Sequence, residues 1–160
     1  MLALLVALAI PTYGPIPGPS ATAVGLAVPV AEGQAVIVNS GSTNVGGYVV
    51  RVWADGTVAV DQGVPLRKTI PKQLVAHFFA DLRAAGKLDA LPTTACMKSA
   101  SFGSALHVGY RGRFSPDLSC PSDSESARAL AIDAHAIVEA AGVSLLPRSR
   151  SIGCVRSGTP

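Results

Sequence analysis

Three cysteines, three histidines and a Lys/Ser-rich loop are the groups in this chain whose types and spacing bear on chemistry. Cys96 and Cys120 bracket a segment that reads as one β-hairpin. Joined, they would staple the hairpin's base to the start of the following helix, and a disulfide there would place the protein outside the reducing cytosol. Three cysteines allow three single pairings. Cys96 with Cys120 is preferred because both lie in the patterned region, and closing that loop would stabilise by roughly 3–4 kcal/mol on the chain-entropy model. Cys154 is then left over, as a free thiol, as a link between chains or as part of a misread C-terminus. The cysteines show no Cys-x-x-Cys spacing, so no metal site is expected from them.

His77 stands four residues before Asp81, and His135 four before Glu139, each on the polar face of a helix. Both read as solvated helix pairs rather than catalytic dyads. His107 is the only strand histidine and the best titratable candidate, but no nucleophile or orienting acid adjoins it in sequence. Between Cys96 and Gly103, Lys98, Ser99 and Ser101, with Ser104 just beyond, are expected to form a polar rim around Phe102. A Ser/Lys pair can run acyl transfer. The plainer reading is an irregular loop tied down by the disulfide, with Asp117 pairing with Lys98 across the staple. The chain has no HExxH, Gly-x-Ser-x-Gly, phosphate loop or dinucleotide fingerprint, and no cofactor is expected.

The elements that must position these groups form a short series. Ala35 to Val38 is expected as a short edge strand, followed by a Gly/Ser/Asn loop over Asn39 to Gly47. Tyr48 to Trp53 and Thr57 to Val60 flank Ala54-Asp55-Gly56, a strong hairpin signal. Pro71 opens a helix with Leu74, Val75, Phe78, Phe79, Leu82 and Ala85 at helical spacing, and Gly86 stands where a left-handed cap belongs. A second hairpin turns at Arg111-Gly112. Ser122 and Glu125 are expected as a capping box for a second helix. Ala127, Leu130, Ala131, Ala134, Ile137, Val138 and Ala141 line one face of that helix, and Gly142 ends it. The fold class is therefore α+β: one layer of antiparallel sheet, about four strands in two hairpins, packed by two amphipathic helices.

Alternation sorts the strand faces. Tyr48, Val50 and Val52 point at the helices, as do Leu106, Val108 and Tyr110. Arg51, Trp53 and His107 then project from the opposite face. With no second layer there, the chain's only Trp is exposed beside an Arg, and Trp and Arg are favoured interaction anchors. The alternative buries Trp53 against Val58 and Val49. The binding candidates are thus Arg51, Trp53, His107, Lys98 and Phe102.

Composition and charge narrow the function classes. The chain is 49% hydrophobic and only 14% charged, too apolar for a disordered chain. Beyond Pro147 lie Arg148, Arg150 and Arg156 and no acid. The remaining ten basic residues face ten acidic ones, so the net charge of +3 belongs to the tail. Nucleic-acid binding needs a basic face on the domain and is disfavoured. Met1 to Ile10 is an apolar run of signal-peptide length, too short to span a bilayer. Ala21-Thr22-Ala23 offers a small-x-small cleavage site, although no Lys or Arg precedes Arg51. The expected organisation is a signal peptide over 1–23, a flexible lead-in over 24–43, one domain over 44–143 and a basic disordered tail over 144–160. The mature chain is expected to carry no membrane anchor.

The run Asp55-Gly56-Thr57-Val58, then Pro71 and Phe78-Phe79-Ala80-Asp81-Leu82, then a hairpin ending in a helix, resembles small exported bacterial domains of unknown function. The layout is similar to emfourin-type inhibitors of thermolysin-like metalloproteases over roughly residues 44–142. The similarity is one of element order and carries over no inhibitory residue. It implies a secreted or periplasmic interaction module of unknown protein partner, in the manner of a protease inhibitor. The alternatives are a small hydrolase using His107 with a loop serine, and a purely structural envelope domain.

Overall fold

The computed structural model describes residues 28–92 and 94–144. The expected signal peptide, most of the basic tail and Cys154 lie outside them. The described chain is α+β, one antiparallel sheet of six strands with two long helices. The strands are β1 (Gln34–Asn39), β2 (Tyr48–Trp53), β3 (Thr57–Asp61), β4 (Leu66–Thr69), β5 (Leu106–Tyr110) and β6 (Arg113–Phe114). The helices are α1 (Lys72–Ala85) and α2 (Glu125–Ala140), with a single 3-10 turn at Leu88–Ala90. The sheet order is β4-β3-β2-β1-β5-β6.

Two differences from the sequence expectation follow. The described residues form six strands where about four were expected, and β1 is central rather than at an edge. It pairs antiparallel with β2 through Ile37 opposite Val50, and with β5 through Ile37 opposite Val108. All six β1 residues are buried, and a strand covered on both faces shows an apolar run instead of alternation. β1 also lies inside the stretch expected as a lead-in. The extra strand β4 is a charged edge, Leu66-Arg67-Lys68-Thr69, with no apolar pattern to announce it.

Both hairpins turn as their sequences dictate. Gly56 adopts φ +93 and Asp55 Oδ1 accepts the Thr57 N–H at 2.8 Å. Arg111 and Gly112 both have positive φ, 51 and 74, the pair that a two-residue type I′ turn requires. The helices form where apolar spacing puts them. Val75, Phe78, Phe79 and Leu82 are the buried residues of α1. Ala127, Leu130, Ala134, Ile137 and Val138 form the apolar buried stripe of α2. These stripes meet Tyr48, Val50, Val52, Val58, Val60, Leu106 and Val108 in one core, as alternation predicts. Gly142 (φ +72) ends α2, its N–H donating to the Glu139 carbonyl. The expected capping box is not formed. Ser124 is the N-cap and accepts from the Ala127 N–H, while Ser122 Oγ accepts from the Ser124 N–H. The cap sits two residues later because α2 starts at Glu125, which leaves Ser122 to shape the turn before it.

Cys96 and Cys120 are disulfide-bonded, with Cα atoms 5.6 Å apart and a sequence separation of 24. The bond ties the irregular 94–105 segment to the turn that leads into α2. Breaking it by Cys96→Ser/Cys120→Ser should lower unfolding free energy by roughly 3–4 kcal/mol. Denaturant titration measures this, and Cys154→Ser should change it little.

Candidate functional site

The disulfide-bounded loop is built from the centre outward. Lys98 Nζ donates to the Ser104 carbonyl at 2.8 Å and also reaches Asp117 Oδ2 and Ser119 Oγ. Asp117 Oδ1 accepts the Leu106 and Ser119 N–H groups, each at 3.0 Å, and the Ser119 hydroxyl. Burial works against ionising Asp117. The hydrogen bonds from Lys98, the Ser119 hydroxyl and the two N–H groups outweigh it and hold the carboxyl down at about 2. Lys98 is therefore a strut rather than a free rim cation: its side chain is only 24% exposed. This is the structural pairing across the staple expected above.

The loop is also laced to the one before β2. Ser42 Oγ donates to the Ser101 carbonyl at 2.7 Å, and Thr43 Oγ1 to the Ala100 carbonyl at 3.0 Å. Ser40 Oγ accepts the Ala105 N–H at 2.9 Å, and Asn39 Nδ2 donates to Ser104 Oγ at 3.0 Å. Gly103 is needed at its place, because a Cβ there would lie 2.6 Å from the Ser99 carbonyl oxygen. The outer surface of this braced loop carries Met97, fully exposed, and Phe102, 69% exposed. Sequence reading found Phe102 and missed Met97, whose exposure has no local sequence signal.

The other candidates lie on the sheet face away from the helices. Strand pairing places Arg51 opposite Val36 and Ala59, Trp53 opposite Gln34, and His107 opposite Val38. Arg51, Trp53 and His107 are all half-buried. Trp53 is not packed on Val58, which faces the helix core. Instead the exposed Arg67 guanidinium of β4 lies over its ring at 5.1 Å, a cation–π contact. Phe114 covers Gly109 on the far side of β1, where a Cβ would lie 2.6 Å from the ring. His107 Nδ1 lies 3.0 Å from the Ser115 carbonyl oxygen, which fixes that nitrogen as the N–H donor. No hydrogen bond among the described residues joins His107 to Ser104 or Asp117. The five binding candidates therefore divide. Lys98 and Phe102 lie beyond Asn39, and Trp53 lies opposite Gln34, about 17 Å away along β1 at ordinary strand rise.

Two further features were not legible in sequence. A shallow apolar groove runs beside the disulfide, lined by Leu118, Pro121, Ala127, Ala131 and the exposed Ile132. The second is a titratable cluster between the helices. His77 is not a simple partner of Asp81. Its Nδ1 lies 3.1 Å from both oxygens of Asp133 on α2 and 3.8 Å from Asp81 Oδ2. Asp133 is buried, and that burial pushes its carboxyl up, with Asp81 adding to the effect and His77 opposing it. The hydrogen bond and charge of Asp133, with the charge of Asp81, push His77 up. His135 and Glu139 are both exposed. No helix among the described residues is long and apolar enough to cross a membrane. The chain matches no family model, no curated protein and no solved structure.

Asp117→Asn should cost about 1–3 kcal/mol by weakening a charge-assisted cluster. The sign with pH follows from the depressed folded-state pKa. The wild-type contribution is complete above the ordinary carboxyl value of 3.8 and disappears as pH falls towards about 2. Denaturant melts between pH 5 and pH 2 should show wild type and variant converging.

Proposed function

We propose that the protein is an exported interaction module that binds a protein partner through the tip of its disulfide-anchored loop. The observation that carries this reading is the exposure of Met97 and Phe102 on a segment held from behind by the Cys96–Cys120 bond, the Lys98–Asp117 cluster and the Ser42/Thr43 lacing. Exposed large apolar side chains carry a solvation cost that burial against a partner relieves. A braced loop loses little further entropy on binding. The disulfide supports a secreted or periplasmic location. The resemblance in element order to emfourin-type proteins extends the reading to an inhibitor of thermolysin-like metalloproteases.

The helix-free sheet face supplies a second surface for the same activity, because Trp53 and Arg67 already stack there beside Arg51. Catalysis is left out of this reading. His107 Nδ1 is taken by a backbone carbonyl, and Asp117 is engaged by Lys98 and Ser119.

Capture from the native exported fraction, with mature protein as bait, tests the first surface. Phe102→Ala should weaken the captured complex by about 2 kcal/mol or more, as an anchor truncation does, with melting temperature unchanged. Loss of binding in Trp53→Ala instead, with Phe102→Ala silent, would move the site to the sheet face. Indifference to both would sink the module reading. A direct inhibition assay against a thermolysin-like protease decides the narrower claim.

The hydrolase alternative is tested by comparing wild type with His107→Ala and Ser104→Ala on esterase, peptidase and glycosidase substrates. The expected outcome is no wild-type turnover. Turnover lost in both folded variants would replace the binding reading.

A further inference from the structure

The helix layer holds a donor set that neither the core nor the loop surface uses. His77 and Asp81 stand one turn apart on α1 and so share a face. Asp133 reaches them from α2, where it is the one ionisable residue in the buried stripe. One donor atom from each of the three can be chosen so that all lie within 4.8 Å of one another. The individual separations, 3.1 Å from His77 Nδ1 to Asp133 and 3.8 Å to Asp81, bracket the roughly 3.3 Å between donors around a tetrahedral ion with bonds of about 2.0–2.1 Å.

The charge balance points the same way. Among the described residues, the ion pairs of Asp81 and Asp133 are with His77 alone. With neutral imidazole the trio carries two negative charges, one of them on a carboxylate in a side chain that is 8% exposed. A buried carboxylate beside a second one is costly unless a cation lies between them. A protonated His77 supplies one positive charge, while a divalent ion supplies two. Magnesium and calcium favour all-oxygen sets of six or more ligands. One imidazole with two carboxylates suits the zinc class of first-row ions. His77 is 67% exposed in its side chain, so the cluster is reachable from solvent and a fourth position is open to water.

We propose that His77, Asp81 and Asp133 form a three-ligand site for a divalent transition-metal ion of the zinc class, bridging α1 and α2 with water in the remaining position. The site rests on residues 56 positions apart in sequence and is independent of the loop that contacts a partner. An ion there would pin one helix to the other and raise the stability of the whole helix layer, since binding to the folded state alone adds to folding free energy.

The test uses the full chain in a Cys154→Ser background, so that no free thiolate competes, after removal of metal with a chelator. Zn²⁺ is titrated by calorimetry and Co²⁺ by visible absorption, with Mg²⁺ as the comparison ion. One-to-one Zn²⁺ binding, a Co²⁺ ligand-field band and a Zn²⁺-dependent rise in melting temperature are expected in the parent. His77→Ala and Asp81→Asn should each weaken Zn²⁺ at least about tenfold and abolish the melting shift, with far-UV circular dichroism retained. Both replaced side chains are only partly buried or exposed, so folding should survive. Absence of the melting shift and Co²⁺ band in the parent would overturn the proposal. So would affinity kept within about twofold in either folded variant, since a lost ligand should cost more than that.

Discussion

The two-sided pairing of β1 is the constraint on which the rest of the molecule depends. Its six residues are buried, all six pair with β2, and Ala35 to Asn39 pair with β5 as well. Removing it would leave two separate pieces, the β2-β3-β4 meander and the short β5-β6 hairpin, neither with its central partner. Its register also decides which side chains face away from the helices. Ile37 opposite Val50 and Val108 puts the apolar side of both neighbours under the helices. The same register necessarily turns Arg51, Trp53 and His107 to the other side, since a slip of one residue would exchange the faces.

Much of this was legible, and the failures share a cause. Period-two alternation in β2 and β5 and helical spacing in α1 and α2 put the inward residues where the core has them, because half-buried elements advertise their faces. β1 is covered on both sides and loses that alternation, so Ala35 to Val38 reads as a short edge strand although it lies at the centre of the sheet. β4 fails for the opposite reason: an edge strand of Leu66-Arg67-Lys68-Thr69 shows solvent-facing charge and little else. The α2 cap moved from Ser122 to Ser124 because several serines in one turn offer near-equivalent starts.

The candidate groups follow the same logic. Lys98 and Asp117 were expected to pair because the disulfide brings their neighbourhoods together, and they do. Met97 could not be told from a core methionine without knowing that the loop stands off the sheet. Asp133 was invisible because it occupies a helical position whose partner lies on another helix. Local spacing offered only Asp81 to His77, and the tertiary contact at 3.1 Å is the closer one.

These features divide the molecule by the kind of order each requires. The sheet and helix core is apolar and nearly self-sufficient, with no buried unsatisfied side-chain polar atom among the described residues. The 94–105 loop has no comparable core. Its shape comes from the Cys96–Cys120 bond, the Lys98–Asp117 pair, and hydrogen bonds from the 40–44 loop, given by the Ser42 and Thr43 side chains and the Thr43 and Asn44 N–H groups. That arrangement leaves the outer side without a structural duty, and Met97 and Phe102 occupy it. In a loop ordered by its own apolar contacts those two side chains would be the first to turn inward. Here the polar brace fixes the backbone without them, so their exposure costs the fold little and remains available to a second molecule.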